Sequence, residues 1–127
     1  YAVPETIAEA YCILIHKVQV TYPNAEIYCF APVPSAGGYL STVNTRYAKT
    51  VPFNKMVKEV AKYNGCHVVD LVDAFDLDPD GDGKVVQEDF DRFQTYFHND
   101  PHPNAEGFDV ITDAFVDAVR KNSKFNK

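Results

Sequence analysis

Two short apolar runs constrain this chain more than any other feature: "EIYCFAPV" at residues 26–33 and "CHVVDLV" at residues 66–72. Both are rich in β-favouring residues and lack polar alternation, the pattern of a strand covered on both faces. Around them the apolar spacing switches to three and four residues. Pro4 and Glu5 open the first such stretch, which carries Ile7, Tyr11, Leu14, Ile15 and Val18 along one stripe. Pro23, in "YPNAE", ends it. A second helical stretch is predicted over residues 51–63 and stops at Asn64-Gly65, and a short one covers residues 87–97. The last starts near Asn104 and is expected to bury Phe108, Ile111, Phe115, Ala118 and Val119. Helix, strand, helix, strand, helix implies an α/β fold on a parallel sheet, because parallel strands need crossovers and helices then cover both faces. Strands of this kind need neighbours on their edges. More strands than these two are therefore expected, with this chain forming part of a larger sheet.

The remaining bounds are set by size and charge. A chain of 127 residues is one domain. Its net charge of −6 and its lack of a Lys/Arg cluster argue against a nucleic-acid partner. No apolar run reaches the roughly 20 residues that cross a bilayer. The first residue is Tyr1 and no signal peptide is visible, so a processed product or a fragment is expected. Cys12, Cys29 and Cys66 are odd in number and lack a Cys-x-x-Cys spacing. They are read as buried free thiols rather than zinc ligands, and leave the redox compartment open.

Acidity is concentrated in "DPDGDGKVVQED", residues 78–89. Counted as a twelve-residue calcium loop, Asp78, Asp80 and Asp82 take positions 1, 3 and 5, and Gly83 takes position 6, where the backbone turns sharply. Lys84 offers its carbonyl at position 7, Val85 is the apolar position 8, and Asp89 stands at position 12. Alternate aspartates aim several oxygens at one point, which suits a hard cation that takes 6–8 oxygen ligands. Val86 at position 9 has no side-chain oxygen, and Asp89 is shorter than the usual Glu. The competing reading is a solvated Asp/Gly turn. The loop resembles those of EF-hands and dockerins, but it occurs once and follows a strand, so it is read as a structural insert at about residues 76–90.

The other constellation is "NDPHPNAEGFDVI", residues 99–111. Two prolines flank His102 and restrict its backbone, and Asn104 stands where a helix cap is needed. A histidine so held is suited to act as a base when a carboxylate receives its Nδ1–H. His16 and His67 lie within regular patterns and are read as structural; His98 is read as a solvated loop residue. Tyr22, Tyr39 and Tyr47 are read as packing or surface residues.

"HPNAEG" before the final helix resembles the "D-x-x-H-P-N-x-x-G" block that closes the SGNH, or GDSL-type, esterases and lipases. "AEAYCILIHKVQVTYPNAEIYCFAPVPS" is similar to the helix, turn and strand that follow that family's Asn-containing block, and "FNKMVKEVAKYNGCHVVDL" to its next helix and strand. The resemblance implies a three-layer α/β/α sandwich on a parallel, flavodoxin-like sheet. It also implies a serine ester hydrolase acting on a small-molecule or carbohydrate ester, in a secreted setting. His102 matches the family's base. The orienting Asp normally stands three residues earlier, where this chain has Asn99; Asp100 is the nearest carboxylate, and the alternative is a dyad without it. The family's nucleophile, Gly and Asn blocks are absent from this sequence, and Ser35 and Ser41 lie in a loop that shapes the pocket in the family. The nucleophile and oxyanion groups are thus expected from an N-terminal segment of the same domain, and the chain alone is expected to be inactive. The alternative from another class is a non-catalytic calcium-binding or interaction module.

Overall fold

The computed structural model describes residues 2–34, 43–98 and 102–125, with backbone alone for residues 43–46. Helix α1 spans Ile7–Thr21 and begins with a capping box: Glu9 N–H donates to the Thr6 hydroxyl, and the Glu9 carboxylate accepts from Thr6 N–H. The cap therefore falls at Thr6 rather than at Pro4. Strand β1, Tyr28–Ala31, is shorter than the apolar run that announces it. Pro32 and Pro34 follow at once, and proline cannot donate to a ladder.

Helix α2 spans Val43–Tyr63 and so starts eight residues earlier than the spacing predicts, with Pro52 inside it. Interior proline is normally a helix breaker. Here the turns before it carry Tyr47, only 4% exposed, whose packing and hydrogen bonding hold that segment helical. Strand β2, His67–Asp70, pairs in parallel with β1 in the register Tyr28↔His67 to Ala31↔Asp70. Asp70 ends it by turning into a helix cap: its Oδ1 accepts from Val72 N–H at 3.1 Å and opens α3, Leu71–Ala74. Helices α4, Gln87–Gln94, and α5, Ala105–Asn122, complete the order.

The layers follow from strand alternation. Cys29 and Ala31 point to one side, where they pack with Ile15 of α1 and Val57, Val60 and Ala61 of α2. Tyr28 and Phe30 point to the other side, where Phe115 of α5 lies against both rings, at centroid distances of 5.5 and 5.8 Å. This is helix–sheet–helix packing, an α/β fold. A second core lies beyond the sheet, where Phe75, Leu77, Val85, Phe90 and Phe93 are all buried. On α5 the buried stripe matches the one its spacing predicts only in part: Ile111, Ala118 and Val119 are half-buried as expected. Phe108 is 57% exposed and Phe115 is 38% exposed, while Gly107 is buried and Val110 and Ile111 pack against the second core. The three cysteines are free; Cys29 is buried, and Cys12 and Cys66 are partly so. Burial, then the neighbouring Cys29, pushes the Cys66 thiol up to about 11.

The direction of α5 sets where the sites fall. At its far end, Ser123 Oγ donates to Glu26 Oε1 at 2.6 Å and Lys124 N–H donates to Glu26 Oε2 at 3.1 Å, just before β1 begins. The C-terminus of α5 thus lies at the strands' amino ends, and its N-terminus, with His102, lies towards their carboxyl ends. The acidic loop also follows from that end, through α3.

Candidate functional site

The His102 segment is fastened through its backbone and through Asn104. Phe97 and Pro103 form an antiparallel bridge, His98 N–H donates to the His102 carbonyl at 2.9 Å, and Asn104 N–H donates to Tyr96 O at 3.0 Å. The Asn104 amide works at both ends: Nδ2 donates to Thr95 O at 2.7 Å, and Oδ1 accepts from Gly107 N–H at 2.9 Å as the cap of α5. Gly107 allows the closeness, since a Cβ there would stand 2.1 Å from Tyr96 O. Pro103, Asn104 and Gly107 of the sequence motif therefore tie the first turn of α5 to the end of α4. His102 is exposed at the head of the closed loop. Asn99 and Asp100, and with them the question of the orienting carboxylate, lie outside the described residues, as do Ser35, Ser41 and Tyr39.

In the acidic loop, Asp78, Asp80 and Asp82 each bring a carboxylate oxygen within 4.8 Å of the others. Gly83, at the position where the count requires a sharp turn, has φ +80°, a conformation open to glycine. Asp82 N–H donates to Asp80 Oδ1 at 3.2 Å, and Lys84 N–H to Asp82 Oδ1 at 2.7 Å. Asp78 Oδ2 accepts from Gly83 N–H at 3.1 Å and from the Tyr47 hydroxyl at 2.7 Å. Its other oxygen, Oδ1, is buried without a hydrogen-bond partner. Such an acceptor is costly unless something positive meets it. Burial by itself would raise the Asp78 carboxyl, but the hydrogen bonds from Tyr47 and Gly83 outweigh it and hold the group below the usual carboxylate range. The Tyr47 hydroxyl moves upward, through burial first and then the Asp78 carboxylate.

Asp89 is not brought into this group of three. Its Oδ1 lies 3.0 Å from Arg92 Nη1, and Arg92 Nη2 donates to Asp76 O at 2.7 Å, which ties α4 to the start of the loop. Leu77 and Val85, essentially unexposed, anchor the loop on the second core. Tyr47 is the participant that sequence reasoning missed. It stands 31 residues from Asp78, and no local pattern links the two.

The fold is thus that of an α/β protein with two loops reached from the carboxyl side of a parallel sheet, the side on which such proteins bind ligands. The sequence matches the model of the GDSL-like Lipase/Acylhydrolase family over residues 2–110, a span that includes the acidic loop, His102, Asn104 and Gly107. The chain belongs to that family, whose fold is flavodoxin-like α/β and whose members form a family of hydrolases. No curated protein and no solved structure matches the chain.

Proposed function

We propose that this chain carries the general base of a serine ester hydrolase acting on a small-molecule or carbohydrate ester, with His102 as that base. The observation that carries the reading is the fastening of the His102 loop. Backbone bonds at His102 and Pro103, and the Asn104 amide, tie this point of the chain to the end of α4, which places an exposed histidine beside the first turn of α5, where a general base could be presented. In this reading Asp100 orients the ring through Nδ1–H, and Nε2 takes the proton of the attacking serine. The resulting imidazolium then gives that proton to the leaving alcohol. A water activated by the same nitrogen afterwards releases the acyl group.

The serine and the oxyanion donors come, in this proposal, from an N-terminal segment of the same domain that adds a parallel strand beside β1. Two features support that placement. Among the described residues β1 pairs only with β2, which leaves one of its edges without a ladder. Around β1 lie exposed apolar side chains, with Phe30 40% exposed and Ile7, Leu14 and Phe53 also exposed, lining an apolar cleft of about 340 Å³. The test uses the chain joined to its N-terminal segment and a p-nitrophenyl ester. Turnover should collapse in His102→Ala with the fold intact; equal turnover in the two proteins removes His102 from the mechanism.

Calcium is the second part of the proposal, and it stands without the first. The convergence of Asp78, Asp80 and Asp82, the partnerless Asp78 Oδ1 and the left-handed Gly83 support a cation in the loop, with the Lys84 carbonyl as a further ligand. Asp89 joins only by leaving Arg92. A ligand set this short suits the weak affinities of extracellular calcium modules, in keeping with a secreted protein. Were His102 idle, this loop would be the working part of a non-catalytic calcium-binding module. Calorimetry decides: calcium binding is expected in the wild type and lost in Asp78→Ala and Asp82→Ala, and equal affinity in all three rules the site out.

A further inference from the structure

A cavity of about 370 Å³ opens between α2, the end of β2 and the acidic loop. It is at the lower end of the roughly 300–1,000 Å³ range of small-molecule clefts. His102 is not among its lining residues; Asp78, Gly81 and Gly83 of the acidic loop form one wall, and the wall opposite, on α2 and at the end of β2, has no part in the ester chemistry or the calcium reading. Its polar wall is built rather than incidental. Asn54, 7% exposed, donates through Nδ2 to Pro32 O at 3.2 Å and to Asp70 Oδ1 at 3.4 Å, and Lys58 pairs with the other oxygen of Asp70. These contacts hold an amide, an ammonium and a carboxylate in fixed relation at the carboxyl end of β2. Lys55 and Asp73 add a further charge of each sign, and Val51 and Val72 supply an apolar patch.

The mixture of signs selects the ligand. An anion entering the cavity meets the carboxylates of Asp70, Asp73 and Asp78, and a cation meets the ammonium groups of Lys55 and Lys58. Either ion loses solvation and gains a like-charged neighbour. A neutral molecule dense in hydroxyls meets neither penalty. Each hydroxyl can accept from the Lys58 or Lys55 ammonium and donate to a carboxylate or to the side-chain carbonyl of Asn54, whose two N–H groups are already committed to Pro32 and Asp70, and the sugar's C–H face covers the valines.

We propose that this cavity binds a single neutral sugar unit, through hydroxyls held between Lys58, Asn54 and Asp70. The proposal goes beyond ester hydrolysis, since it requires neither His102 nor a nucleophile. The test is a titration of the full chain with methyl β-D-glucopyranoside, without added calcium, following the Asn54 side-chain amide by nuclear magnetic resonance. Saturable shifts of that amide are expected, with none from sodium phosphate. Lys58→Met removes the charged donor, and with the fold confirmed by its amide spectrum, affinity should fall about tenfold. Val51→Trp fills the cavity and should abolish the shifts. Shifts that never saturate, that phosphate reproduces, or that persist unchanged in both variants overturn the proposal. Calcium binding is measured separately by calorimetry, so its failure is distinguishable from failure of this site.

Discussion

The two loops that flank α4 are held in opposite ways. In the His102 loop the backbone and one amide do the holding: Phe97 bridges Pro103, Asn104 reaches back to Thr95 O, and the histidine ring is exposed. In the acidic loop the aspartate side chains are themselves the framework. Asp80 and Asp82 accept from the backbone two residues on, and Asp78 is gripped by Gly83 and Tyr47. Aspartates whose oxygens are taken up by backbone N–H groups and by Tyr47 are held converging on one point, an arrangement that suits a cation better than a proton transfer.

The contrast can be broken at four points. The largest effect is expected at the acidic loop's anchor. Leu77 is fully buried beside the loop, so Leu77→Ala should cost about 2–5 kcal/mol in urea unfolding and loosen the three aspartates with it. Unfolding within error of wild type would mean that the loop stands without its core. Gly107→Ala attacks the other loop by steric overlap with Tyr96 O, at a cost of about 1–3 kcal/mol as the end of α4 shifts. Proton exchange of the His102 imidazole should change with it, while calcium binding should not. Tyr47→Phe removes one hydrogen bond to a carboxylate and should cost about 1.5 kcal/mol together with calcium affinity, leaving the His102 loop unaltered in its amide spectrum. Loss at both loops would show that they are one unit.

The smallest effect serves as a control at the opposite end of the sheet. The Ser123 hydroxyl, and then the Lys124 N–H, hold the Glu26 carboxyl below its usual range. A lowered folded-state pKa means that the unfolded chain takes up the proton first. The stabilisation is therefore complete above the unfolded value of about 4.3 and is lost as pH falls through the lower folded value. The urea midpoint should drop on acidification across that window, and Glu26→Gln should flatten the drop. An equally steep fall in the variant would assign the acid sensitivity elsewhere.

Several parts of this arrangement were legible in the sequence because the forces behind them are local. Apolar runs announced both strands, Asn104 announced the cap of α5, and the Asp/Gly count announced a loop whose Gly83 turns as that count requires. The errors fell where a distant partner overrode a local rule. The spacing places the start of α2 eight residues late, at 51, whereas the turns before it are supported by the tertiary contact of Tyr47 with Asp78. Phe108 follows helical spacing, yet it lies on the exposed side of α5, where the contact with the second core is made by Val110 and Ile111, while Phe115 meets the β1 rings and stays 38% exposed.

The same division runs through the functional groups. By itself the sequence determined the α/β class, the family resemblance, the candidate base His102 and the Asp78, Asp80 and Asp82 ligand pattern, since each is written within a few neighbouring residues. Only the tertiary structure decided that Tyr47 grips Asp78, that Asp89 turns to Arg92, and that Asn54, Lys58 and Asp70 stand around one cavity. Those pairings join separate elements or choose between competing partners. They are settled by how helices pack on the sheet and by which charges packing brings within reach, and neither is encoded in spacing along the chain.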